Sequence, residues 1–149
     1  NIGVDNNLTL SISAAAVAKD PERMTETTIG IYRSGTADKK AFSVDLVVAK
    51  DTLAMAKAIA AEPDAPEKYS IYKTGVLLDE EYYEPLPAQI SVPDGQRQAM
   101  TKLILHDAEL VSDYAVGQIL LLPLRIENPT KYTLNTSLSM TMVVITINE

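Results

Sequence analysis

Apolar and polar residues alternate with a period of two along much of this chain. In Leu8 to Ser13, Leu8, Leu10 and Ile12 fall on one side, and Thr9, Ser11 and Ser13 on the other. That is the pattern of a strand with one buried face. Thr25 to Arg33 reads as a second strand. Phe42 to Ala49 is the clearest case, with Phe42, Val44, Leu46 and Val48 facing in and Ser43 and Asp45 facing out. Gln89 to Val92 and Ala99 to His106 flank Pro93-Asp94-Gly95-Gln96, where Pro restricts φ and Gly accepts a positive one. Gln118 to Glu127 places Leu120, Leu122, Leu124 and Ile126 on one face. Pro123 cannot donate to a ladder, so this strand is expected at a sheet edge or with a bulge. Ser139 to Asn148 is apolar on both faces around Val143-Val144-Ile145, which predicts a central strand.

The segments between strands are weaker in pattern. Ala14 to Arg23 reads as an irregular connector with a turn at Asp20-Pro21. Ser34 to Lys40 is a polar loop of hairpin length. Asp51 has the character of a helix N-cap. Thr52 to Ala61 follows it as a short helix with Leu53, Ala56 and Ala60 in one stripe, ended by Glu62-Pro63. Residues 62–75 and Asp107 to Gly117 read as loops. The sum is an all-β, mainly antiparallel, Ig-like β-sandwich of about seven strands with one short helix between strands. It is expected as a single domain over 1–149, in which 1–23 is a strand plus an irregular N-terminal connector.

Composition narrows the chemistry. Apolar residues make up 46% and aromatic residues 5% of the 149, so the core must be aliphatic. There is no cysteine, which excludes disulfides and thiolate metal sites. The net charge is −7, and the asymmetry is regional: residues 76–149 carry four basic and ten acidic side chains. An acidic half repels phosphate backbones, so no nucleic-acid partner is expected. No apolar run is long enough to span a bilayer. The chain starts at Asn1, as an exported protein that has lost its signal would, and as a piece of a longer chain would.

Candidate functional residues concentrate in one region. Tyr69, Tyr72, Tyr82 and Tyr83 offer faces for a sugar ring and hydroxyls for hydrogen bonds. The ordinary role of such tyrosines is packing at loop–sheet junctions. Asp79, Glu80, Glu81 and Glu84 form the densest acidic cluster and are weak candidates for calcium, with a spacing that matches no calcium loop. His106 is the only histidine and no Gly-x-Ser-x-Gly elbow accompanies it, so no catalytic residues and no cofactor are assigned. Asn7-Leu8-Thr9 and Asn135-Thr136-Ser137 fit the N-glycosylation pattern, which carries no meaning in a bacterial source. Asp51-Thr52-Leu53 is similar to a short Bacteroidetes O-glycosylation sequence, and a helix cap explains it equally well.

The order of motifs resembles the N-terminal domain of unknown function found in Bacteroidetes surface lipoproteins encoded with glycan-utilisation systems. The matching stretches are Phe42–Ala61, Tyr83–Gly95, with its Pro85-Leu86-Pro87 step and Pro-Asp-Gly turn, and Leu121–Asn128, with Leu122-Pro123-Leu124-Arg125-Ile126. Thr28–Gly35 matches more loosely. The resemblance implies a non-catalytic module of an exported, lipid-anchored protein at the cell surface or outer membrane, with the periplasm as the alternative. It also implies a glycan or a companion surface protein as partner. Two roles follow: a spacer or interaction domain in glycan capture, or direct carbohydrate or protein binding by the Tyr69–Glu84 loop. A hydrolase is a distant third.

Overall fold

A computed structural model describes residues 2–4, 7–33, 40–130 and 139–149. The strands are β1 (Ile2–Val4), β2 (Leu8–Ser13), β3 (Glu26–Arg33), β4 (Phe42–Val48), β5 (Val76–Leu77), β6 (Gln89–Val92), β7 (Gln98–Ile104), β8 (Ile119–Glu127) and β9 (Met140–Asn148). The helices are α1 (Ala14–Lys19), α2 (Lys50–Ala60), α3 (Ile71–Thr74) and α4 (Asp107–Asp113), with 3₁₀ turns at Glu67–Tyr69 and Glu80–Tyr82. Asn1, residues 34–39 of the expected polar loop and the Asn135-Thr136-Ser137 pattern lie outside the described residues.

Two sheets face each other. The smaller has the order β1-β3-β7 and the larger β2-β9-β8-β4-β6. Ile29, Ile31 and Leu103 of the smaller sheet share one core with Val44, Leu122, Leu124, Val143 and Ile145 of the larger. The expected register holds: Phe42, Val44, Leu46, Leu122, Leu124 and Ile126 are all buried. A slip of one residue would turn each of them to the opposite face of its sheet. A fully buried Leu or Ile stabilises by roughly 1.5–3 kcal/mol, so this face sets the register. Gly95 takes φ 80°, and the N–H of Gln96 closes the turn on the Pro93 carbonyl at 3.2 Å.

The structure corrects several expectations. The pairing is mainly antiparallel, as expected, but two parallel pairs depart from that expectation: β2 runs parallel to β9 and β5 parallel to β8. The presumed connector after β2 is helical because Ser13 accepts the Ala16 N–H at 3.1 Å and alanine favours the helix. The presumed loop after β7 begins with α4, whose Leu110 is fully buried. Residues 62–75 hold a 3₁₀ turn and α3. Asp51 is not the cap of α2. Ala49 occupies that position without a side-chain hydrogen bond, and Asp51 faces the Arg125 guanidinium at 3.3 Å.

Pro123 is the most instructive correction. It lies in the interior of β8, a central strand, opposite Met142 of β9. On the other side of β8, two strands share one edge. β4 pairs antiparallel with Leu124 to Glu127, and β5 pairs parallel with Leu120 and Leu121. Pro123 falls between them. Its carbonyl accepts the Ala49 N–H at 2.8 Å, while the Ala49 carbonyl turns away to accept from Leu53 of α2 at 3.2 Å. No acceptor is left waiting for the N–H that proline lacks. The outer face of β8 is covered too, since Leu121 packs with Leu53 of α2 and Met142.

Candidate functional site

The segment Leu78 to Glu84 crosses from one sheet to the other and is fastened at both ends. The Leu78 N–H reaches the Leu121 carbonyl at 2.8 Å, and the Glu84 N–H reaches Ile104 at 2.9 Å. Tyr83 forms an isolated bridge with Leu105. Beyond it, Pro85 and Pro87 carry the chain back toward β6. A groove of about 760 Å³ opens between this crossing and the end of β4. Its floor is apolar, from Leu46, Val48, Leu86 and Leu124, and its rim carries Asp79, Glu80 and Glu81. A smaller hollow of about 260 Å³ adjoins it, sharing Val48, Asp79, Glu80 and Tyr83 and adding Lys50.

Backbone alternation explains the groove. The Leu46 N–H bonds the Ala88 carbonyl at 2.9 Å, whereas the Ala49 N–H points the other way, to β8. Val48 therefore turns its N–H to the same side as Leu46. No strand pairs with it there, because the pairing of β4 with β6 ends at Asp45 and Gln89 and the chain beyond Ala88 diverges through Pro87 and Pro85.

The four tyrosines do not form one surface. Tyr69 and Tyr72 pair with ring centroids 5.8 Å apart, and Tyr72 packs on the cluster around Leu53. Tyr82 and Tyr83 belong to the main core but serve different places, Tyr82 at the end of the 3₁₀ turn and Tyr83 in the extended residue after it. Tyr82 donates its hydroxyl to Asp113 at 2.6 Å and meets Tyr114 edge-on at 5.5 Å. The hydrogen bond to Asp113, with burial adding to it, holds this hydroxyl far above the usual tyrosine range. Tyr83 lines both hollows. It is only 8% exposed, and its hydroxyl has no hydrogen-bond partner among the described residues. Burial pushes that hydroxyl up, and the facing Glu80 and Asp79 carboxylates push it further.

The acidic cluster is divided as well. Asp79, Glu80 and Glu81 stand on the groove, while Glu84 meets His106 Nε2 at 3.3 Å. His106 Nδ1 lies 3.0 Å from the Glu81 carbonyl and 3.2 Å from the Glu109 carboxylate. Partial burial lowers the histidine's pKa. The Glu81 carbonyl and the Glu84 and Glu109 carboxylates outweigh that and raise it overall. Among the described residues, no three acidic or histidine side chains stand close enough to hold a metal ion. Also among the described residues, no helix is long and apolar enough to cross a membrane. Sequence reasoning missed Leu46, Val48 and Leu86 as the groove floor. The Pro85-Leu86-Pro87 spacing was the available signal, since two prolines facing the end of a strand prevent further pairing.

With this geometry in view, the fold has clear likenesses. The chain superimposes on a proposed carbohydrate binding protein from Bacteroides ovatus with a TM-score of 0.68 and 13% identity, over 100% of this chain and 37% of that one. The fold is a mostly β sandwich of a kind that Calx domains also show. The apo Calx CBD1 domain matches with a TM-score of 0.56 and 11% identity, over 99% of this chain and 98% of that domain. EndoBT-3987 of Bacteroides thetaiotamicron, solved with a Man5GlcNAc product, matches with a TM-score of 0.64 and 8% identity, over 95% of this chain and 28% of that one. The chain thus spans well under half of either Bacteroides protein. No protein-family model and no curated protein matches the sequence.

Proposed function

We propose that this chain is a non-catalytic module of an exported, surface-anchored lipoprotein that captures glycan, and that it meets the glycan through the groove on β4. The observation that carries this reading is the groove itself. It is held open by a crossing segment bonded to both sheets, with an apolar floor for the carbon face of a sugar and polar groups on the rim for its hydroxyls. The likeness to a proposed carbohydrate binding protein of Bacteroides ovatus supports the same direction, as does the sequence resemblance to surface glycan-utilisation lipoproteins.

Calorimetric titration with a panel of plant and host oligosaccharides tests it. Saturable binding that shifts the amide resonances of Val48, Tyr83 and Leu86 is expected. Flat titrations across the panel would leave the module as a spacer, the second reading, favoured by the cross-bonded sandwich. Hydrolysis of a glycoside that is lost on replacing Asp79 or Glu80 would overturn the non-catalytic assignment.

A further inference from the structure

The groove's polar groups define the kind of ligand more narrowly than the word glycan does. Three carboxylates, Asp79, Glu80 and Glu81, stand on the rim, and Lys50 is the one basic side chain among the residues lining the two hollows. The site is therefore rich in acceptors and negative in sign. Its donors are few and placed deeper. One is the Tyr83 hydroxyl, on a residue that lines both hollows, with no hydrogen-bond partner among the described residues. The other is the Val48 N–H, turned away from β8 beyond the last pairing of β4 with β6.

We infer that the groove binds an uncharged saccharide, with neighbouring hydroxyls donating to Asp79 and Glu80, a ring or hydroxyl oxygen accepting from Tyr83 and Val48, and the apolar face lying on Leu46 and Leu86. This rests on the glycan reading above and goes beyond it in naming the charge class. Uronate and sulfated glycans would bring a second negative charge beside the rim, where repulsion is strengthened by the apolar floor. A hydroxyl on the groove wall with no protein partner among the described residues is a group that a ligand can pair with. An extended peptide is the competing occupant, since Val48 is an open strand position. The opposite wall argues against it: Pro85 and Pro87 have no N–H, so a peptide inserted there finds one backbone partner on β4 and no ladder on the far side.

The test compares cellotetraose and mannotetraose with tetragalacturonate, and with a Lys- and Val-containing octapeptide, by calorimetry and by amide shifts of the chain. Binding of a neutral tetrasaccharide at least tenfold tighter than of tetragalacturonate is expected. Tyr83→Phe, which keeps the ring and the fold, should weaken the neutral sugar about fivefold to tenfold, an amount in the range of one hydrogen bond. Glu80→Gln should narrow the gap between neutral and acidic sugars, and because Glu80 is exposed its replacement leaves the fold intact. Equal affinity for tetragalacturonate, or a Tyr83→Phe variant that binds as well as the parent, would overturn the inference while leaving the glycan reading standing. Saturable binding of the octapeptide at Val48 without any sugar would overturn both, and so would silence from every saccharide.

Discussion

Tyr82 donates its hydroxyl proton to the Asp113 carboxylate at 2.6 Å, joining the 3₁₀ turn beside the groove to the last residue of α4. The contact favours the protonated phenol in the folded state, so the stability it gives is present below the ordinary tyrosine pKa and is lost as pH rises past the higher folded value. In an alkaline titration followed at 295 nm, Tyr82→Phe should remove one phenol that ionises well after pH ~10. Asp113→Asn should move that same phenol to lower pH. A titration curve unchanged by either variant would count against the bond.

His106 sets a pH dependence near neutrality. Burial lowers its pKa in the folded protein more than any single neighbour raises it, but the Glu81 carbonyl and the Glu84 and Glu109 carboxylates together leave it raised. The stability from this contact is complete below about pH 6.5, the unfolded value, and declines as pH rises through the folded one. Urea unfolding between pH 5.5 and 8.5 should show that decline, and His106→Gln should flatten it.

Arg33 is buried at the end of β3 and secures the far end of the sandwich. Its Nε donates to the Gln96 carbonyl at 2.9 Å, its Nη1 to Lys40 at 2.8 Å, and its guanidinium lies 5.1 Å from the centre of the Phe42 ring. Arg33→Met keeps the length but strands these carbonyls. The expected loss is about 2–4 kcal/mol, read from urea midpoints, with the β6–β7 turn resonances shifting most.

Thr141 works in the opposite direction. Its hydroxyl is buried without a hydrogen-bond partner among the described residues, on the core face of β9 beside Leu124. Thr141→Val replaces the hydroxyl with a methyl of similar size. It should raise the unfolding free energy by about 1 kcal/mol, with the slope against urea unchanged. A destabilised variant would mean that the hydroxyl is satisfied.

The strands were legible where one face is wet. Phe42 to Val48 and Leu8 to Ser13 alternate in sequence as they do in burial. β9 announced its central place by being apolar on both faces. Three helices escaped because they are short: α4 has two turns, with Leu110 as its one fully buried apolar side chain, too few positions to establish a period, and α1 and α3 are shorter still. The parallel pairing of β2 was invisible because alternation records which face is buried, not which way the neighbour runs. Pro123 was misread for a related reason: its tolerance comes from Ala49 turning its carbonyl toward Leu53, a contact no local pattern encodes. The candidate site was half legible. The region from Asp79 to Tyr83 was identified, but the groove needs Leu46 and Val48, more than thirty residues earlier. Adjacency also concealed that Tyr82 and Tyr83 serve different surroundings.

The side-by-side course of β2 and β9 has a mechanical meaning. Leu8 pairs with Val143 and Ser13 with Asn148, so the start of the first long strand and the end of the last lie at opposite ends of one parallel ladder. Tension applied at Leu8 and Asn148 pulls these strands past one another and loads all the rungs together. A module strung between an anchor and a capturing partner would resist shear as a unit rather than peel open one hydrogen bond at a time.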